Sequence, residues 1–184
     1  MNLRIEGGLS GKQLDVTDRN MARVLSTNLS SQADVALHLQ RSWTIADTRT
    51  GSGAGVFVMY MLNTSTRDVI ISRISLDAAT SETITLSRVT GTAAGGTAIT
   101  ATNRSLGSAF TQPVTLQGAT SITGLTLAGN LEALEGTTQQ NLELDKRPII
   151  VSPNAAVAIA VTTGSIATKI YMDFYQQLVD PTVI

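Results

Sequence analysis

The chain has 184 residues, of which 42% are hydrophobic, 15% charged and 4% aromatic, and its formal net charge is −1. The hydrophobic share supports one domain with a packed core, whereas the charge balance lacks the clustered positive field that nucleic acid binding needs. The chain has no cysteine, so disulfides and thiolate metal sites are excluded.

The N-terminal segment, residues 1–34, differs in composition from the rest of the chain. It mixes acidic and basic side chains with isolated apolar ones, and glycines between residues 7 and 11 interrupt any regular element. Residues 1–8 lack the apolar stretch of a signal peptide, so we expect none. Residues 16–25 are compatible with one helical turn or a short strand. The segment is either a loosely ordered extension or an arm that orders on a partner subunit.

The β domain is predicted to begin near Val35. Apolar residues alternate with other residues from 35 to 39, and Trp43 and Ile45 continue the same face. Residues 47–55 indicate a Gly-rich turn. Residues 56–62 are an almost unbroken apolar run, which predicts a strand buried on both faces.

Two further strands are predicted between residues 69 and 89. In the first, residues 69–76, Ile74 and Leu76 are in phase with Ile70 and share its face. The second covers residues 83–89. The small residues 91–96 predict a turn after it.

Residues 101–140 have a less regular pattern. Residues 103–107 indicate a loop, and apolar residues alternate over the short stretches 114–116 and 122–127. Residues 131–136 are compatible with one helical turn or with another strand.

The C-terminal part is predicted to contain three strands. Residues 149–151 form the first, and residues 155–161 alternate small and large side chains, as a packed sandwich core requires. Residues 162–165 are predicted to close a hairpin into the last strand, residues 168–175. The pattern of that strand places its even-numbered apolar residues in a core and the opposite row in water, namely Lys169, Tyr171, Asp173 and Tyr175.

About eight to ten strands with frequent turn signals predict an all-β fold, an antiparallel β-sandwich of jelly-roll type with an extended N-terminal arm. The predicted organisation is an arm at residues 1–34, a sandwich at residues 35–177 and a C-terminal tail at residues 178–184. No run approaches the length of a membrane span. Residues 28–30, 63–65 and 103–105 match the N-glycosylation sequon, which we attribute to chance.

The residue inventory predicts no catalytic residue, no metal site and no cofactor, and therefore no enzyme. His38 is the single histidine, and it has no evident nucleophile or orienting partner. Glu132 and Glu135 are close in sequence, but a solvated turn explains them better than a glycosidase pair. Residues 51–55 lack the lysine of a phosphate-binding loop. Trp43 shares the apolar phase, so core packing is favoured over stacking on a sugar.

Three features recur together over residues 40–176. A Trp-bearing strand at residues 42–45 precedes the polar turn and strand at residues 63–71, and a Gly/Thr-rich middle contains residues 103–107. A late segment, residues 148–155, leads through an Ala-rich strand to residues 169–175. Together these features resemble the small β-sandwich structural proteins of tailed bacteriophage virions, especially those that decorate or cement the head.

The resemblance implies a non-enzymatic virion protein of the capsid surface, made in the host cytoplasm, that binds and stabilises the assembled capsid. Its implied partners are the major capsid protein and further copies of itself, as a trimer; neither nucleic acid nor a membrane is expected. Each copy would bridge neighbouring capsid subunits, and many copies would act through multivalency.

The alternative is a receptor- or glycan-binding module of a phage tail fibre or an adhesin. Such a module needs exposed aromatic side chains on a concave face, and this chain has few aromatic residues.

The interaction surface is predicted from three places: the arm, the polar row of the last strand and the apolar tail, which would bury its side chains against a neighbour. The predicted contact residues are Leu3, Arg4, Ile5, Lys12, Leu14, Arg19, Arg23, Tyr171, Tyr175, Leu178, Val179, Val183 and Ile184.

Overall fold

A computed structural model describes residues 14–16, 22–24, 40–78, 80–136, 140–144 and 148–177. Within these ranges the protein is all-β and contains no helix, which confirms the predicted class. The strands are β1 (Leu14–Val16), β2 (Ala22–Val24), β3 (Ser42–Thr50), β4 (Val56–Asn63), β5 (Val69–Ala78), β6 (Glu82–Ala94), β7 (Thr97–Ala98), β8 (Thr102–Asn103), β9 (Val114–Gly136), β10 (Gln140–Glu143), β11 (Ile149–Val151), β12 (Ala156–Val161) and β13 (Ala167–Gln176).

The chain divides into two units, Met1–Ser30 and Ser31–Ile184. In the first unit β1 and β2 form an antiparallel pair, with Leu14 opposite Val24 and Asp15 opposite Arg23. Of the two alternatives for residues 16–25, the described residues are therefore extended. The predicted start of the sandwich at Val35 lies outside the described residues, and the first described strand of the second unit begins at Ser42.

The second unit is a sandwich of two antiparallel sheets. The first sheet has the order β10–β5–β13–β3–β8, with β11 also paired to β5. The second sheet has the order β4–β12–β6–β9–β7. Hydrophobic side chains from both sheets form one core, in which Trp43 of β3 stacks on Phe174 of β13 at 5.9 Å between ring centroids. Trp43 is 1% exposed, so its predicted core role is confirmed.

The strand pairs are nested along the chain in the jelly-roll manner. Strand β3 pairs with β13, β4 with β12, β5 with β10 and β11, and β6 with β9. The first and last strands of the sandwich, β3 and β13, are therefore hydrogen-bonded to each other. Moving inward along the chain from both ends, each next strand again pairs with its counterpart. Alternate pairs belong to alternate sheets, as they do when one long antiparallel ribbon is rolled into two packed layers. The predicted jelly-roll type is confirmed.

Strand β9 closes the second sheet on itself. Its first half pairs with β4, up to Ile122 opposite Phe57, and its second half pairs with β6, from Thr123 opposite Ala94 onward. A second apolar cluster forms from Tyr60, Val89, Ala119, Ile122, Ala156 and Ala158. Because β4 contributes Val58 and Met61 to the main core and Tyr60 to this second cluster, it is buried on both faces, as its apolar run predicts. Burial also raises the pKa of Tyr60 above its ordinary value.

The predicted turn at residues 91–96 is wrong for residues 91–94, because β6 continues to Ala94. Gly91 has a φ of 97° and Gly124, on the facing strand, has a φ of 77°. These left-handed residues accompany irregularities in the β6–β9 register, which let both strands bend without ending. For the same reason the short alternating stretches after residue 114, and residues 131–136, are parts of the single strand β9.

Two other details of the predicted strands are corrected. A register irregularity between β5 and β13 places Asp173 opposite Arg73 but Phe174 opposite Ile71, so one residue of β5 is skipped. As a result Val69 and Ile71, rather than Ile70, join Ile74 in the main core. Residues 162–165 also do not close a hairpin, because β12 belongs to the second sheet and β13 to the first.

We expect Gly91→Ala to destabilise the protein by about 1–3 kcal/mol, the usual cost of a strained backbone conformation. A Cβ atom at Gly91 would collide with the carbonyl oxygen of Gly124 and would sit at a positive φ. Urea unfolding followed by circular dichroism measures the change. Gly53→Ala is the matched control, because a Cβ there meets open space. Equal stability of the two variants would contradict the role of Gly91 in the bend of β6 against β9.

Candidate functional site

A buried carboxylate holds the connection between the two sheets. Glu82, at the start of β6, is 1% exposed, and its carboxylate accepts four backbone N–H groups. Oε1 accepts from Thr83, Thr162 and Thr163 at 2.9–3.0 Å, and Oε2 accepts from Gly164 at 3.3 Å. Hydrogen bonds to a charged acceptor are the stronger ones, so Glu82 fixes the turn through which the chain crosses from β12 to β13.

A second buried polar side chain, Asn63, lies at the C-terminal end of β4 and holds the turn that follows it. Asn63 is 0% exposed, and its Nδ2 donates to the carbonyl oxygens of Arg67 and Val151. Its Oδ1 accepts from the backbone N–H and the hydroxyl of Ser65. Because both amide hydrogens are donated inside the fold, the sequon at residues 63–65 has a structural role and does not present an acceptor for a glycan.

The polar row of β13 is only partly solvent-exposed, which corrects the prediction from its alternation. Lys169 is exposed and Tyr171 is half-buried, but Asp173 and Tyr175 are 5% and 8% exposed. Arg73 Nη2 lies 2.8 Å from Asp173 Oδ2, and Arg104 Nη1 lies 3.6 Å from the same oxygen. These two guanidinium groups cover the carboxylate, which alternation within one strand does not reveal.

Lys169 and Tyr171 form a local pair on the exposed part of this row. The Lys169 ammonium lies 4.9 Å from the centroid of the Tyr171 ring. A hydrogen bond with the Tyr171 side chain raises the pKa of Lys169 above its ordinary value.

A hydrogen-bonded loop, residues 103–112, follows β8 at the edge of the first sheet. Asn103 donates to the Gln40 carbonyl and to the Ser108 hydroxyl, and it accepts from the Ser105 N–H. At the other end, Gln112 donates to the carbonyls of Ile99 and Val114.

The tip of this loop carries Leu106, which is 91% exposed, and its far limb carries Phe110, which is 43% exposed. The Arg41 guanidinium stacks on the Phe110 ring at 3.9 Å from the centroid and also donates to Gln176. We call the pair Leu106 and Phe110 the loop knob. Together these two side chains place exposed apolar surface on a hydrogen-bonded loop, where it is available for a contact.

An open groove lies beside β11, the strand that pairs with β5 at the other edge of the first sheet. Its volume is about 550 Å³. We call it the β11 groove, and its lining includes Arg88, Leu131, Glu132, Pro148, Ile150 and Val157. Ile150 is 57% exposed and Leu131 is 42% exposed. The described part of the chain contains five exposed large apolar side chains, and four of them lie in the loop knob and this groove; the fifth is Leu127.

Most of the contact residues predicted from the sequence lie outside the described residues. This holds for Leu3, Arg4, Ile5, Lys12, Arg19, Leu178, Val179, Val183 and Ile184, and also for His38. Leu14 and Arg23 lie in the β1–β2 pair. Of the two tyrosines, Tyr171 is half-buried, whereas Tyr175 is buried between the positions of Ser42 and Ile70 on the flanking strands.

The loop knob, the β11 groove and Glu82 are not among the residues predicted from the sequence. One signal for the knob was present: Leu106 is a lone leucine inside the polar stretch 103–108 and has no alternating partner. The groove had no such signal, because Leu131 and Ile150 are far apart in sequence and each fits a strand pattern.

The described residues contain no group of three or more potential metal ligands. Glu132 and Glu135 lie in β9 three residues apart, so their side chains point to opposite faces and do not form a catalytic pair. The part of the chain that the structure describes also contains no helix with the length and apolar character needed to cross a membrane.

No family model, no curated protein and no solved structure matches this chain. The geometry and chemistry of its own residues are therefore the basis for a functional proposal.

We expect Glu82→Ala to destabilise the protein by about 3–5 kcal/mol, because four backbone N–H groups would lose a buried charged acceptor. Thermal or urea unfolding measures the loss. Glu135→Ala is the matched control: Glu135 is exposed and lies opposite Thr83 on the same pair of strands, so its change should stay within about 0.5 kcal/mol. Similar losses for the two variants would refute the anchoring role of Glu82.

Proposed function

We propose that this protein is a non-enzymatic structural protein of a tailed-bacteriophage virion, which binds the assembled capsid at its surface and stabilises it. The observation that carries the proposal is the nested strand pairing of the second unit. That jelly-roll architecture is used in viral capsid proteins, where a rigid sandwich presents side chains to neighbouring subunits. The proposed partners are the major capsid protein and further copies of the chain.

The composition supports the same proposal. With 15% charged residues and a net charge of −1, the surface is largely neutral and hydroxyl-rich. Large permanent interfaces favour such a surface, because an unpaired charge buried there would be costly. Each copy would add interface area between capsid subunits, and many copies would act together against internal pressure.

The jelly roll also occurs in lectins, so glycan binding is the rival function. Sugar recognition by stacking needs exposed aromatic rings. Here Trp43, Tyr60, Phe174 and Tyr175 are buried, and Phe110 is the one exposed aromatic side chain, already covered on one face by Arg41. These observations favour the structural role over a glycan-binding one.

We expect the purified full-length protein to co-sediment with capsids that lack it and to raise the temperature at which they release DNA. A glycan array tests the rival function with the same protein, and we expect no binding to it. Absence of capsid binding would contradict the proposed function, and specific glycan binding would replace it with the rival one.

We expect deletion of residues 1–25 to leave a folded protein that no longer binds capsids. The reason is that these residues belong to a unit separate from the sandwich and carry the predicted arm contacts. Circular dichroism checks the fold, and co-sedimentation measures the binding. Full binding by the truncated protein would refute attachment through the arm without affecting the other contacts.

A further inference from the structure

We propose that copies of this chain associate head to tail, with the loop knob of one copy inserted into the β11 groove of the next. The proposal deepens the self-association contained in the proposed function by naming the two surfaces that meet. It does not depend on what the resulting assembly attaches to.

The loop knob is preorganised for binding. Asn103 and Gln112 fix the two ends of the loop, and the Ser108 N–H donates to the Ser105 carbonyl within it. The Arg104 N–H also donates to the Ser42 carbonyl, which ties the loop to β3. Because the loop backbone is already ordered, association carries little further cost for ordering it, and the main entropic cost at the knob is that of the Leu106 and Phe110 side chains.

The β11 groove matches the knob in size and chemistry. Its volume of about 550 Å³ accommodates the side chains of Leu106 and Phe110, and Leu131, Ile150 and Val157 supply apolar walls. Apolar anchors that enter a preformed pocket are the usual centre of a protein interface.

The charges beside the two surfaces are complementary in part. Arg41 lies against the Phe110 ring of the knob, and Glu132 lines the groove. Arg88 also lines the groove and offsets part of this attraction. An Arg41 that moves in with Phe110 would meet Glu132 at the rim, where electrostatic complementarity sets orientation more than affinity.

The two surfaces lie at opposite edges of the first sheet. The knob follows β8 at one edge of the first sheet, and the groove lies beside β11 at the other edge. One row of paired residues crosses the sheet through Trp43, Phe174, Ile71 and Ile149. The two edges therefore lie at the same level along the strand direction. The strands between them span roughly 19 Å, so the knob of a copy does not reach its own groove. When each copy passes its knob to a further copy, the assembly is a closed ring or an open filament, whereas two copies that exchange knobs reciprocally would stop at a dimer.

Charge substitutions test the two surfaces separately. We expect Leu106→Asp and Ile150→Asp each to weaken self-association by more than about tenfold in analytical ultracentrifugation. Both side chains are exposed, so the fold should persist. The matched control is Ala54→Asp, which adds the same charge at the exposed turn between β3 and β4 and should leave association unchanged. A monomeric wild-type protein, or unchanged association of either test variant, would overturn the proposal.

Cysteine cross-linking tests the pairing itself, because the natural chain contains no cysteine. We expect a mixture of Leu106→Cys and Ile150→Cys proteins to form a disulfide-linked dimer under mild oxidation, and the double variant to form covalent multimers. A mixture of Leu106→Cys and Ala54→Cys is the control and should not cross-link. Efficient dimers from Leu106→Cys alone would show two knobs in contact and would refute the head-to-tail arrangement.

The outcome is distinguishable from that of the proposed function. Capsid co-sedimentation of the cross-linked double variant reports attachment, whereas ultracentrifugation of the free protein reports association between copies. Association through the knob without capsid binding would reject the proposed function and retain this inference.

Discussion

The buried carboxylate of Glu82 is the interaction on which the crossing between the two sheets depends. It accepts N–H groups from Thr162, Thr163 and Gly164, in the turn where the chain leaves β12 in one sheet and enters β13 in the other. Without such an acceptor, the N–H groups of Thr163 and Gly164 would lose their hydrogen-bond partner, whereas the Thr162 N–H would keep the Thr83 carbonyl. Because β13 pairs with both β3 and β5, this turn leads the chain into the central strand of the first sheet.

The closure of the second sheet has a consequence for where the protein can bind. Strand β9 pairs with both β4 and β6, so these strands are occupied on both sides, and a second apolar cluster fills the enclosed space. The first sheet remains open and has two distinct edges, one at β8 and one at β10 and β11. The loop knob follows β8 at one of those edges, and Ile150 of the β11 groove lies at the other, which connects the topology to the proposed contact between copies.

Several elements were predictable from local pattern because the pattern reports burial directly. The apolar run at residues 56–62 became a strand buried on both faces, and Trp43 entered the core. Predictions of which side chains are buried failed where contacts with a neighbouring strand change the inward–outward alternation. The skipped residue in β5 moves Ile71 into the core in place of Ile70, and two arginines from other strands or loops bury Asp173. Neither effect has a signature within the strand itself, since each arises from residues distant in sequence.

The sequence alone determined the all-β class, the sandwich and the absence of disulfides, because period-two alternation, turn residues and composition are local properties of the chain. Tertiary structure alone decided the 23-residue course of β9, the anchoring role of Glu82 and the placement of Leu106 and Ile150 at opposite sheet edges. These features depend on long-range strand pairing. Pairing brings together residues that are up to 135 positions apart, such as Arg41 and Gln176, and no local pattern encodes which strand meets which.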